Sequence, residues 1–416
     1  MILEALKRNH VEDDKLWEMV SRANQLTCGD YKSYDDNAAA LVPLMDRILL
    51  RSREKGDSRV YFYAMAKFFW LLERVAINDI RRRFQISEMF HRDIRQWDVK
   101  NVGRFEGEWR VSIAARILNF YLDYPQVNED KLEQMLEIFL DLEQRYGSDW
   151  NCGDYYVVMV LAASKQDKKL AETARKKLSK GDFKLWCYTC YYIVPMLCYY
   201  VLFEDFEGIE ELISSVVRRS IPAKYQWCFE KCESSSEKGL ITTTLKYCLN
   251  YGTTKLFAKV FARWKSLYQE PQKEDLSTHE ILFHVLAGEL SCSKERLHTA
   301  EKDDQDKREH RESPTDSMYW ALCWYVYFLI LEKCGVKTVK LNLGDGSGED
   351  RAGEENPSEW TCRDAAIYFE HQADEIGEQM EQGRRWFSYG AIKQKYRECF
   401  LKKGSISPVV WKRGRE

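Results

Sequence analysis

Apolar residues stand four apart in a series of segments divided by charged positions: Leu132, Leu136 and Leu140; Leu170, Ala174 and Leu178; Ile209, Ile213 and Val217; Leu256, Val260 and Trp264. A spacing of four follows the 3.6-residue turn of an α-helix and not the two-residue alternation of a strand, so each segment reads as a helix with one face turned to a core. The first positions of these stripes lie 38, 39 and 47 residues apart, a period that suits a recurring pair of helices. The expected fold is all-α: an α-α superhelix, or solenoid, of antiparallel helix pairs with almost no sheet.

The pairs are expected at 61–76 with 80–96, 108–124 with 129–146, 155–164 with 168–179, 185–203 with 206–219, and 240–251 with 255–268. Stops fall at Tyr124-Pro125, Tyr146-Gly147, Lys180-Gly181 and Ile221-Pro222. Asn128 and Thr253 stand where a side chain would cap the first turn of the following helix. This divides the chain into an N-terminal helical cap (1–58), a helical-repeat array (59–290), a charged linker (291–316), a C-terminal helical unit (317–403) with a glycine- and acid-rich insertion at 344–359, and a tail (404–416).

Two apolar runs interrupt the amphipathic pattern, at 185–203 and 318–331. The first is long enough to span a bilayer, but its five tyrosines and its proline disfavour insertion, and both runs read as central helices buried on all sides. The 63 basic and 66 acidic residues nearly balance, so no overall positive field draws nucleic acid or an anionic membrane, and neither is expected as a partner. The 13 cysteines are scattered through helical stretches, as in a reducing compartment, and the N-terminus lacks the unbroken apolar core of a secretory signal; a cytoplasmic protein is expected.

The helix pairs resemble a divergent tetratricopeptide-like (TPR-like) array over residues 60–270. The W-x2-L-G-x2-Y signature of that family is absent and the period exceeds its 34 residues, so the resemblance is architectural and transfers no functional residue. It implies a non-catalytic scaffold, a regulator or adaptor, that binds a protein or peptide in a concave groove. The alternative class is an all-α, α/α-toroid-like enzyme acting on a carbohydrate; its catalytic carboxylates would sit on long rim loops, which this chain lacks.

No motif points to a catalytic, metal or cofactor site. His279 and His284 imitate a zinc-protease pair, but five residues turn a helix by about 500° and the two rings diverge. Cys187 and Cys190 have redox spacing in an apolar run that would raise the thiol pKa, and Cys228 with Cys232 is similar. The acids of Asp303-Asp304-Gln305-Asp306 alternate with lysine and arginine and read as a solvated charge run. Arg81, Arg82 and Arg83, with Arg92, Arg95, Lys100 and Arg104, spread around their helix and read as a face of local ion pairs.

Candidate partner-binding residues come from a contrast between helix faces. Tyr188, Tyr192 and Tyr199 share one face of the 185–203 run, and another carries Cys187, Tyr191, Val194 and Cys198; Thr244, Tyr247 and Tyr251 share a face of the 240–251 helix, beside Ile241, Leu245 and Cys248. Small and aliphatic faces suit close packing, while tyrosine buries its ring against a ligand and keeps its hydroxyl wet, so the tyrosine faces are expected to line the groove.

Overall fold

A computed structural model describes residues 13–27, 37–73, 79–97, 102–147, 154–179, 192–218, 236–251, 254–267, 314–333, 335–341 and 358–401. Among them the chain is 84% helix in fifteen helices, with strand confined to one short hairpin. Contacts divide the chain into two compact units. The first comprises Met1–Asp123, Val127–Ala162 and Lys169–Pro195, the second Tyr124–Gln126, Ala163–Lys168 and Met196–Glu416. The helices are α1 (Asp14–Thr27), α2 (Ala38–Glu54), α3 (Ser58–Leu72), α4 (Ile80–Gln96), α5 (Arg104–Asp123), α6 (Glu129–Tyr146), α7 (Tyr155–Ser164), α8 (Lys168–Leu178), α9 (Val194–Leu202), α10 (Phe206–Val217), α11 (Glu237–Asn250), α12 (Thr254–Leu267), α13 (Pro314–Lys333), α14 (Cys362–Gly383) and α15 (Tyr389–Leu401). Strands β1 (Thr338–Leu341) and β2 (Ser358–Thr361) separate α13 from α14.

Each unit is organised around one helix that is apolar on every side. In the first unit this is α3, whose run YFYAMAKFFWLL leaves only Lys67 and Trp70 unburied; it packs against α2, α4 and α5. In the second it is α13, in which every residue from Met318 to Phe328 is buried and which packs against α14 and α15. A helix without a polar face must be covered all round, and burying its side chains supplies roughly 1.5–3 kcal/mol each. The earlier apolar run is described only from Tyr192 onward. There α9 starts at Val194, and Pro195, which lacks an N–H and fixes φ, occupies its first turn, where neither property costs a hydrogen bond.

The amphipathic helices bury their stripes, with a drift. Leu256, Val260 and Trp264 are all buried, whereas α6 buries Leu132, Met135, Phe139 and Leu142, with Leu136 and Leu140 half-exposed, and α10 buries Val216 and leaves Val217 exposed. Four residues rotate a helix by about 400°, so a strict four-residue stripe slides about 40° per step off the core, and alternate steps of three and four correct it.

The turns repeat a local geometry. Helix α2 ends with Gly56 in the left-handed region (φ 69°): the Gly56 amide donates to the Arg53 carbonyl, the Asp57 amide reaches back to Ser52, and the Asp57 side chain then accepts from the Val60 amide to cap α3. Helix α9 ends in the same way. Glu204 takes φ 57°, its amide donates to Val201, the Asp205 amide donates to Tyr200, and the Asp205 side chain caps α10 through the Gly208 amide. Between α7 and α8, Gln166 takes φ 56° and donates to Ala163. Asp79, Asn128, Ser236 and Thr361 cap α4, α6, α11 and α14 through side-chain oxygens. The Asn128 cap is the one expected; Thr253 lies outside the described residues.

The hairpin was not expected. β1 and β2 pair antiparallel in the register Thr338↔Thr361 to Leu341↔Ser358. Four-residue strands are too short to show alternation, and the 344–359 insertion hid the pairing: β2 occupies its last two positions, and the rest of it lies outside the described residues. So do the histidine pair, both closely spaced cysteine pairs, the aspartate-rich run and all of the charged linker before Pro314.

Candidate functional site

The structure places five of the six nominated residues, and none of them projects freely. Tyr188 lies outside the described residues. In the first unit Tyr192 is half-buried, and burial pushes its hydroxyl above the ordinary tyrosine value, with the Arg175 charge opposing. In the second unit Tyr199 is buried, its ring stacked 4.5 Å from Phe203 and edge-on to Tyr200. Thr244 is fully buried and donates its hydroxyl to the Leu240 carbonyl at 2.8 Å, which leaves it nothing to offer a partner. Tyr247 and Tyr251 are half-buried with ring centroids 5.9 Å apart. The aliphatic face behaves as expected: Ile241, Leu245 and Cys248 are in the core.

What the second unit does assemble is a buried hydroxyl cluster at the end of α11. The Tyr251 hydroxyl is driven well above its ordinary pKa by burial and by neighbouring Tyr319 and Cys198, with a hydrogen bond involving Ser164 opposing. Its carbonyl accepts from Gln166 at 3.2 Å. Tyr396 of α15 donates to Asn250 at 2.8 Å and stacks on Tyr319 of α13 at 6.1 Å. Neutral phenols at this density are donors and acceptors that join helix ends. With burial raising the hydroxyls of Tyr251 and Tyr396 well above the ordinary tyrosine value, neither serves as a base near neutral pH.

Charged groups converge more strongly in the first unit. Buried Asp93 of α4 accepts from Tyr61 at 2.5 Å, Arg92 at 2.7 Å and Arg53 at 3.2 Å. Burial works against its charge, but the hydrogen bonds from Arg92 and Tyr61 and the two guanidinium charges outweigh it and hold the carboxyl below the usual carboxylate range. Arg110, 1% exposed, is gripped by Glu106 at 2.6 Å and the Trp97 carbonyl at 2.8 Å, with its guanidinium 4.3 Å from the Phe62 ring centre. Beside it a cavity of about 280 Å³ opens between α4, α5 and α6, lined by Arg95, Arg110, Glu137, Asp141, Arg145 and Tyr146 among others. Glu143 accepts from Tyr155 at 3.0 Å and from Lys177 at 2.9 Å.

The arginine-rich stretch is divided among separate tasks. Arg82 pairs with Asp46, Arg83 is buried with its guanidinium 4.7 Å from the Phe120 ring centre, Arg92 pairs with Asp93, and Arg95 borders the cavity. Arg92–Asp93 and Glu106–Arg110 are local pairs within one helix, whereas the partners that Tyr61 and Arg53 bring to Asp93, and Tyr155 and Lys177 to Glu143, come from other helices and left no mark in the sequence. Among the described residues no group of three or more histidine, cysteine, aspartate or glutamate side chains is placed to hold a metal ion, and no helix is long and apolar enough to cross a membrane. Cys198, Cys248, Cys323 and Cys362 are buried and form no disulfide; burial pushes the Cys198 thiol up to about 12 and, with the Glu332 charge, Cys362 up to about 11, so neither of these two supplies a thiolate near neutral pH.

No family model matches the chain, and neither a curated protein nor a solved structure matches it.

Proposed function

We propose that this chain is a non-catalytic, TPR-like helical-repeat scaffold that binds a protein or peptide partner as a regulator or adaptor. The observation that carries this reading is the recurring turn. Gly56-Asp57 and Glu204-Asp205 close one helix and cap the next by the same set of hydrogen bonds, and Gln166 takes the same left-handed conformation 38 residues before Glu204. A turn repeated at a helix-pair period is what stacking units of one plan require, and such stacks present extended surfaces to partners. Free cysteines suit a reducing, cytoplasmic setting.

In this reading Tyr247 and Tyr251 are the edge of the second unit's binding surface, because their rings keep part of their area accessible while Tyr199 and Thr244 serve the core. The test is a photo-crosslinking amino acid at Tyr247, with a second at exposed Glu375 as control, in the purified full chain offered to an extract of its own cells. A polypeptide adduct formed at Tyr247, absent at Glu375 and competed by unlabelled chain, supports the scaffold reading. No adduct, or equal adducts at both positions, overturns it.

A further inference from the structure

The wall of the cavity of about 280 Å³ in the first unit carries donors and charges that the fold does not use. Arg110 of α5 is 1% exposed and commits Nε and Nη2 to the Glu106 carboxylate and the Trp97 carbonyl; among the described residues its remaining nitrogen, Nη1, donates to nothing. A buried guanidinium normally has its donors engaged. In the same wall Arg145 is held by Asp141 at 3.0 Å and 2.8 Å, whereas Arg95 of α4 and Glu137 of α6 take part in no ion pair among the described residues. Ile94, Ile138 and Leu142 make the apolar part of the wall.

Size and charge together narrow what such a cavity accepts. Small-molecule sites run from about 300 to 1,000 Å³, so a cavity at the foot of that range suits a compact molecule. The three guanidiniums are balanced by Asp141, Glu137 and, holding Arg110, Glu106, so a phosphate-like anion would bring charge that the wall does not need and would meet Glu137. What stays unmatched is one buried arginine donor with one unpaired cation, and one unpaired carboxylate. A ligand with a carboxylate and an ammonium on a short apolar body answers both and adds no net charge.

We propose that this cavity is a binding site for a free aliphatic α-amino acid. The ligand carboxylate accepts from Arg110 Nη1 and pairs with Arg95, its ammonium donates to Glu137, and its side chain lies against Ile94, Ile138 and Leu142. Arg110 is set before the ligand arrives: Glu106 and the Trp97 carbonyl fix the guanidinium, and the Phe62 ring centre lies 4.3 Å from it, so little side-chain entropy is lost there on binding. Arg95 and Glu137 are exposed, and the ligand orders them. The site belongs to the first unit and does not depend on the partner surface proposed at Tyr247 in the second.

The experiment titrates leucine into the purified full chain by isothermal calorimetry, beside leucinamide, which lacks the carboxylate, and 4-methylpentanoate, which lacks the ammonium. Leucine is expected to bind in the millimolar range or tighter, and each analogue about tenfold more weakly, as the loss of one charge-assisted contact implies. Arg95→Gln and Glu137→Gln change exposed residues and leave the Arg110 bonds intact, so each should weaken leucine binding to a similar degree while circular dichroism and the urea midpoint stay as in the wild-type chain. Absence of leucine binding at millimolar concentration overturns the proposal, as does equal binding of either analogue or an unchanged leucine affinity in either variant.

Discussion

Asp57 and Asp205 have the same backbone conformation, φ −83° and ψ 86° in one and φ −89° and ψ 87° in the other, and each performs the same double task. The amide of each closes the preceding helix and the carboxylate opens the next. The residue before each is left-handed, but it is glycine at 56 and glutamate at 204.

That difference sets the first prediction. A side chain costs roughly 1–2 kcal/mol in the left-handed region, so Glu204→Gly is expected to raise the urea midpoint by an amount equivalent to about 1 kcal/mol, less the entropy of the freer unfolded chain. Gly56→Ala should lower it by about 1 kcal/mol, purely through conformation, since a Cβ there meets nothing within 4 Å. Asp57→Ala and Asp205→Ala should each cost about 1 kcal/mol as lost caps. A fall in the midpoint for Glu204→Gly, or a rise for Gly56→Ala, would contradict the shared-turn account.

Tyr61 and Asp93 provide a second test. The Tyr61 hydroxyl is buried and donates to a carboxylate that is 1% exposed, so Tyr61→Phe removes a charge-assisted bond and leaves the ring in place. The expected loss is about 1.5–3 kcal/mol by denaturant unfolding. Asp93 titrates below its unfolded value, so its contribution is present above about pH 4 and is lost as pH falls through the native value. Asp93→Asn should therefore flatten the acid limb of the stability profile.

Asp154 should act in the opposite direction. Burial pushes its carboxyl up to about 7, with the Arg116 charge pulling down and Glu143 pushing up. The native state then holds the proton more tightly than the unfolded chain between about pH 4 and 7. Stability from this group is greatest at the acid end of that window, falls as pH rises through it, and is flat above. Unfolding midpoints between pH 5 and 8 should show this slope in the wild-type chain and lose it in Asp154→Asn; the total effect is on the order of 2 kcal/mol.

Close approach of a helix to a tyrosine ring makes a fourth prediction. A Cβ on Gly377 of α14 would stand 2.1 Å from the ring of Tyr389, and one on Gly107 of α5 would stand 2.4 Å from the ring of Tyr146. Alanine raises helix propensity at either position, by up to about 1 kcal/mol, yet both substitutions should destabilise by about 1–3 kcal/mol because the rings must move. At Tyr389 the ring is held further by a hydrogen bond to Asp374 at 2.5 Å, so Gly377→Ala is expected to be the costlier of the two in thermal unfolding.

Helix content and most helix bounds were legible because they depend on neighbours in sequence. Ile80 to Gln96, Glu129 to Tyr146 and Tyr155 to Ser164 follow directly from apolar spacing and local stop signals, and the Asn128 cap from one residue's chemistry. The aspartates at 57, 79 and 205 carried the same capping signal and went unread. The all-round apolar run at 318–331 likewise announced a buried helix, since a helix with no polar face has nowhere else to go.

Tertiary structure alone decided which polar groups are buried together. Nothing in the sequence brings Asp93 to Tyr61 or Asn250 to Tyr396, because those partners lie 32 and 146 residues apart and meet only when helices pack. The same holds for the nominated tyrosine faces. Spacing placed Tyr199 and Thr244 on faces of helices, but whether a face meets solvent or another helix depends on the neighbouring elements. Lys67 shows both sides: its isolation within an apolar run is plain in the sequence, while the small cavity it borders and the two indoles near its amine are made by residues from four helices.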